Sequence, residues 1–258
     1  MNYADLTVII PCYNSSQTII RCLDSIKNQT LLPEKIIVVD DCSHDNTLDI
    51  LKEYKKYNSK LNLEIFELNK NSGPSFARNL GVKSASSAYI AFLDSDDVWV
   101  RNKLEIQYKS MLDNDLNFSF HLYSAFPSII VKDCILKKVT LFDLAKRQII
   151  CTPTVMVKKN ILKDFNTDMR FCEDFLCWVM SNNNNNFYYI DSYLANGFKK
   201  QYGESGLSSN MREMHLGVLK AFKILYYENY INLWSFILFS AMEHVKYPIR
   251  ILRSKSVF

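Results

Sequence analysis

The chain has 258 residues, 48% of them hydrophobic and 22% charged, with a formal net charge of +4. That is enough for one sizeable α/β domain with a substantial core, too apolar for disorder over most of its length, and too weakly basic to argue for a nucleic-acid partner. The seven cysteines are odd in number and lack CxxC spacing, which argues against a zinc site or a disulfide frame and for reduced thiols in an intracellular protein. The first residues carry no basic segment leading into a signal-length apolar stretch, and no apolar run reaches spanning length.

In chain order, Leu6 to Ile10 is a β-branched run stopped by Pro11, which predicts a first strand. A helix is expected from Ser15 or Ser16, with Ile19, Ile20, Leu23 and Ile26 as its apolar face. Lys35 to Val39 reads as a second buried strand ending in Asp40 and Asp41, and Asp45-Asn46-Thr47 opens a helix through Leu48, Ile50, Leu51 and Tyr54. Leu63 to Leu68 alternates like a strand, Asn71-Ser72-Gly73-Pro74 makes a turn, and Ser75 to Lys83 reads as a helix. Ala88 to Leu93 is then a buried strand that ends abruptly in Asp94-Ser95-Asp96-Asp97. Strands alternating with helices at this spacing predict a parallel sheet whose ligands gather at the carboxyl ends of the strands. Three of those ends carry Tyr13-Asn14, Asp40-Asp41 and the acids from Asp94 to Asp97.

Carboxylates crowded at a buried strand end are costly unless something positive sits among them, and Mg²⁺ or Mn²⁺ shared with substrate phosphates would serve. A solvated turn in which Asp94 and Asp96 cap a helix beginning near Val98 also fits those residues taken alone. The convergence of acidic and aromatic strand ends on one rim favours a ligand site. Neither GxGxxG nor GxxxxGK[ST] occurs among the six glycines, so phosphates bound here would be neutralised by a cation and side chains. That points to a nucleoside diphosphate.

The ordered set Val8-Ile9-Ile10-Pro11-Cys12-Tyr13-Asn14, Val38-Val39-Asp40-Asp41-Cys42-Ser43, Asn71 to Asn79 and Leu93-Asp94-Ser95-Asp96-Asp97 resembles the family 2 glycosyltransferases of GT-A fold. The resemblance is strong over roughly the first hundred residues and looser through Glu173-Asp174. It implies a mostly parallel, Rossmann-like central sheet flanked by helices, with a nucleotide-sugar half over 1–97, an acceptor half over 98–202 and a helical extension over 203–258. It also implies that Asp94-Ser95-Asp96 is the DxD motif, with Asp96 the principal ligand of Mn²⁺ or Mg²⁺ and Asp94 near the ribose or metal. Asp41 would accept a hydrogen bond from uracil, Tyr13 would pack beside that base and Pro11 would line the same pocket. Arg78 falls where the family keeps an arginine near the nucleotide; an ion pair with a strand-end acid is the other reading. Asp97 either orients its neighbours or caps a helix. The family usually has Gly at Cys42 and a smaller residue at His44.

In the second half, Thr152 to Val157 reads as a strand, and Glu173-Asp174 precede an apolar face of Phe175, Leu176, Trp178 and Val179. Alone, such a pair is favourable at any helix N-terminus. The resemblance makes it the ED motif, with Asp174 the general base and Glu173 orienting acceptor or metal-side groups. The implied reaction is inverting transfer of one sugar from a UDP-sugar to a hydroxyl of a glycan acceptor, lipid-linked, in O-antigen or capsule synthesis. No QxxRW motif of processive synthases is present. A nucleotidyltransferase would need a glycine- and lysine-rich phosphate loop, and a non-catalytic binding scaffold would have lost the DxD or the base.

His121, in an apolar run, is expected in the core, and Asn182 to Asn186 in a polar loop. Lys199 and Lys200 read as a solvated pair or as diphosphate contacts. Gly203 to Ser209 is a break before an apolar stretch, Ile231 to Met242, followed by Lys246, Arg250, Arg253 and Lys255. That tail fits either a helix lying on anionic lipid at the cytoplasmic face of the inner membrane, or a helical pair packed on the domain or another subunit.

Overall fold

The apolar runs become strands because both faces of the sheet they form are covered. A computed structural model describes residues 3–127, 134–147, 150–182, 187–198 and 210–255. Its strands are β1 (Tyr3–Cys12), β2 (Leu32–Asp40), β3 (Leu63–Glu67), β4 (Tyr89–Phe92), β5 (Val98–Trp99), β6 (Phe118–Ser124), β7 (Leu136–Val139), β8 (Met156–Lys158) and β9 (Phe187–Asn196). The helices are α1 (Ile19–Lys27), α2 (Thr47–Tyr57), α3 (Pro74–Ser84), α4 (Lys103–Asp113), α5 (Leu141–Arg147), α6 (Glu173–Ser181), α7 (Met211–Tyr227) and α8 (Leu233–Lys255). The sheet order is β3-β2-β1-β4-β8-β6-β9-β5, with β7 also on β9. β1 to β4, β6 and β9 run one way, while β5, β7 and β8 run the other. The α/β class and the mostly parallel sheet are therefore as the sequence suggests.

Successive residues feed opposite cores, as a period of two requires. Ile9, Ile37, Ile90 and Phe92 face α3, α6 and α7, whereas Val8, Ile10, Val38 and Ala91 face α1, α2 and α4. A run with no polar alternation is the consequence of this double burial. Val218, Phe222 and Phe239 of the last two helices join the first of these cores, so the tail packs on the sheet domain through one side.

Four local expectations change. Pro11 does not end the first strand: β1 continues to Cys12, paired with β2 through Pro11–Val39, because β4 has already left it after Ile9–Phe92 and needs no donor there. Helix α1 begins only at Ile19, and Ile20 is exposed while Cys22 takes its place in the core. The stretch after Asp97 is the short strand β5, so no helix begins at Val98 for Asp94 or Asp96 to cap. Thr152 to Thr154 form a 3₁₀ turn, leaving only Met156–Lys158 as strand. Asn183 to Asn186, Lys199, Lys200 and Gly203 to Ser209 lie outside the described residues. His121 is fully buried in β6, its Nδ1 2.9 Å from the Leu122 carbonyl oxygen, and burial pushes its pKa well below the ordinary value.

Candidate active site

Where β1 and β4 part, their carboxyl ends and that of β2 open into a cleft of about 740 Å³, within the range of pockets that hold nucleotide-sized ligands. Its wall includes Pro11, Tyr13, Asp41, Arg78, Asp94, Ser95, Asp96, Glu173 and Asp174. Every site residue expected from the sequence thus borders one cavity.

At one end, Asp41 is almost fully buried, and its two oxygens accept from Ser72 N and Gly73 N, each at 2.7 Å. Gly73 has φ 85°, a left-handed conformation that favours glycine, and it launches α3 with Pro74 as the first helical residue. Tyr13 is 44% exposed and meets His44 edge-on at 6.2 Å. The loops after β1 and β2 are laced together: Asn14 N donates to Ser43 Oγ and His44 N to Asn14 Oδ1, both at 2.8 Å. Cys42, where the family prefers glycine, has φ 62°, a conformation costing a non-glycine residue about 1–2 kcal/mol. Cys172, directly before Glu173, has φ 60°. Strained backbone therefore flanks acids at both ends of the cleft.

In the middle, the turn after β4 is closed by Asp97 N donating to Asp94 O at 3.1 Å. Asp97 also borders the cavity, and there Tyr123 Oη donates to its Oδ1 at 2.9 Å. Ser95 Oγ lies 2.8 Å from Ser15 Oγ, and Arg21 Nη2 donates to the Asp96 carbonyl oxygen at 2.9 Å. Arg78 rises from α3, almost fully buried, with Nη2 3.1 Å from Asp94 Oδ1 and Nη1 3.1 Å from Glu173 Oε1. One guanidinium thus ties the end of β4 to the start of α6. The ion pair considered for Arg78 exists, and it spans both halves of the chain.

Opposite, Glu173 and Asp174 occupy the first turn of α6. That helix is pinned by Trp178, fully buried with ring centroids 5.2 to 5.9 Å from Phe165, Phe92 and Phe118. Asp174 Oδ2 accepts from Thr152 Oγ1 at 3.0 Å, and its Oδ1 from Phe175 N at 2.7 Å. Burial and the charge of Asp174 push the Glu173 carboxyl up to about 7 against the pull of Arg78. Desolvation raises the Asp94 carboxyl too; Arg78 opposes this, while Asp96 and Asp174 add to it. For Arg78, burial is outweighed by Asp94, Glu173 and Asp174, which hold its pKa above the ordinary value.

The middle of the cleft is therefore over-supplied with negative charge. Among the described residues no three acids, histidines or cysteines come together as a closed metal cage. Asp94 and Asp96 offer the partial, carboxylate-only set that suits a hard cation completing its shell with phosphate oxygens and water. Sequence reasoning did not find Ser15, Arg21, Tyr123 or Thr152. Each lies 22 to 80 positions from the acid or serine it supports, and no spacing signals such a partner.

Residues 7–128 match glycosyl transferase family 2. Over 210 residues, 80% of either chain, the protein is 34% identical to the UDP-Glc:alpha-D-GlcNAc-diphosphoundecaprenol beta-1,3-glucosyltransferase WfgD of Escherichia coli. It is 35% identical over 179 residues to a poly(ribitol-phosphate) beta-glucosyltransferase of Bacillus spizizenii, covering 66% of this chain but 28% of that one. The crystal structure of Staphylococcus aureus TarS 1-349 in complex with UDP-GlcNAc superposes with a TM-score of 0.64 at 25% identity, over 87% of this chain and 67% of that one. An acid-rimmed cleft at the parallel strand ends, together with a relative matched over four-fifths of both lengths, has one reading: the chain belongs to glycosyl transferase family 2 and is a glycosyltransferase.

Proposed function

We propose that the protein transfers one hexose from a UDP-sugar to a hydroxyl of a lipid-linked glycan, with inversion, during assembly of a bacterial surface polysaccharide at the cytoplasmic face of the membrane. The observation that carries this reading is the Arg78 bridge, which holds Asp94 on the donor side and the Glu173–Asp174 pair on the acceptor side of one cleft. The names of the relatives support the donor and acceptor classes: one uses UDP-Glc and a diphosphoundecaprenol-linked GlcNAc, and a solved structure carries UDP-GlcNAc. Two of the names specify beta products, which inversion of an α-linked donor yields.

In this reading Tyr13 and Pro11 flank the uracil, and Asp41, fixed by the two amides, turns its remaining lone pairs to the base. Asp96 and Asp94 would hold Mn²⁺ or Mg²⁺, which would supply positive charge against the diphosphate of the leaving UDP. Asp174 takes the proton from the acceptor hydroxyl as that oxygen attacks the anomeric carbon in line with the leaving diphosphate. Thr152 and the Phe175 amide fix the orientation of the base. Much of the acceleration then comes from positioning.

The test is transfer from UDP-glucose and UDP-GlcNAc to lipid-diphosphate acceptors, alongside UDP binding. Asp96→Ala or EDTA should lower turnover by roughly 100-fold or more, an effect of the size that losing one key stabilising group produces. Asp174→Asn should abolish transfer while UDP affinity stays near wild type. Activity indifferent to both EDTA and Asp96→Ala would refute the site.

A further inference from the structure

Helix α8 is held to the domain by one side only. On that side Phe239 and Glu243 are buried, and Glu243 meets His215 Nδ1 of α7 at 3.2 Å, Lys246 Nζ at 2.9 Å, and Arg250. The opposite side carries Trp234, Leu238, Val245, Ile249 and Leu252, spaced 4, 7, 4 and 3 residues apart, which stacks them along a single face. All five are exposed, Trp234 at 79% and Leu252 at 67%. The stripe runs about 27 Å along the helix. It is too continuous to be scattered surface apolarity.

We propose that this face is a lipid-docking surface on which α8 lies in the plane of an anionic membrane, its apolar stripe at the acyl boundary. Charge selects the occupant. Helix α8 carries four Lys or Arg and one Glu, with all four cations between residues 246 and 255. Glu243 takes up the inward-turned Lys246 and Arg250, so these two are not the headgroup contacts their sequence position suggests. The sequence adds Arg253 and Lys255 and no acid after Glu243, a charge balance that favours an anionic headgroup layer. At the other end, the exposed indole of Trp234 is a side chain that settles at the membrane–water boundary. Among the described residues no helix is long and apolar enough to cross the membrane, so contact through α8 is peripheral. The position also suits the reaction: Met214 of α7 lines the cleft, and the next residue, His215, is the one that holds Glu243. The docked helix is thus one helix away from the acceptor side. The inference draws on the lipid-linked acceptor for its purpose only.

The experiment is flotation of the full chain with vesicles of phosphatidylglycerol and phosphatidylethanolamine, or of phosphatidylcholine alone, read together with tryptophan emission. Trp99 and Trp178 are buried at 4% and 0% exposure, so a blue shift on binding reports Trp234 and should vanish in Trp234→Phe. Wild type should bind the anionic vesicles and be released by salt. Leu238→Glu and Val245→Glu should each weaken binding by about tenfold or more, with UDP-sugar hydrolysis unchanged as proof of an intact fold. Arg253→Glu with Lys255→Glu should weaken binding to anionic vesicles selectively. Failure of wild type to float, equal flotation of Leu238→Glu, or a wild-type dimer that Leu238→Glu converts to monomer would overturn the proposal. Because the assay needs neither donor nor acceptor, that outcome leaves the transferase reading standing.

Discussion

Glu173 is the residue at which burial and charge pull hardest against each other. Its carboxyl is raised from 4.5 to about 7 by burial and by Asp174, with Arg78 opposing. The native state therefore keeps a proton that the unfolded chain releases near 4.5, and between those values folding takes up a proton. Stability from this group is full below the lower value and falls as pH rises toward 7. Glutamine at this position has no proton to lose. The stability difference between wild type and Glu173→Gln, followed by urea midpoints at pH 5, 6, 7 and 8, should shrink or reverse in favour of the variant up to about pH 7 and level off beyond. A difference that grew with pH would contradict the assigned environment. The acids were legible in the sequence because carboxylates at the ends of apolar runs are conspicuous. Their state was not: nothing local to Glu173 announces that Arg78, 95 positions earlier, reaches it.

At the level of elements, α7 is pressed against the approach to the site. A Cβ on Gly217 would come within 2.7 Å of the Phe171 carbonyl oxygen and 2.8 Å of its Cβ. Backbone cannot swing aside as a flexible side chain does, so Gly217→Ala should cost about 1–3 kcal/mol. Because Phe171 lies two residues before Glu173, turnover should fall together with stability, measurable as lower kcat at a temperature where the variant is fully folded. Unchanged kcat would detach α7 from the geometry of the base. The long strands were readable because Ile36 to Val39 and Tyr89 to Phe92 need only continuous burial. Two-residue β5 was not, since its existence depends on its partners Ala195 and Asn196; the strand read over Thr152 to Val157 exists, but only where Met156–Lys158 meets β4 and β6. Pro11 misled because its cost depends on which neighbour strand is present.

Across the whole molecule, the tail is secured by the carboxylate of Glu243, and Lys246 also donates to the Ala145 carbonyl oxygen at 2.6 Å. Glu243→Gln leaves two cations without their counter-charge and alters the partner of His215 Nδ1. The loss should be about 2 kcal/mol, below the ~3–5 of a fully buried pair, because the cations keep some contact with water. Faster amide exchange over residues 243–252, with the sheet unaffected, would register it; unchanged exchange would mean that the helix is held by Phe239 and its neighbours instead. The sheet order carries a different consequence, for biosynthesis. β8 sits between β4 and β6 although it follows both in the chain. While residues 118–124 emerge from a ribosome, the edge of β4 awaits a partner more than thirty residues away, and β6 has no place in the growing sheet. Joining the two halves is thus delayed until β8 arrives, a non-local pairing of the kind that slows folding. The nascent chain would meanwhile expose two unpaired strand edges. Ribosome-bound chains halted before residue 156 should accordingly be the ones that trigger factors and proteases detect.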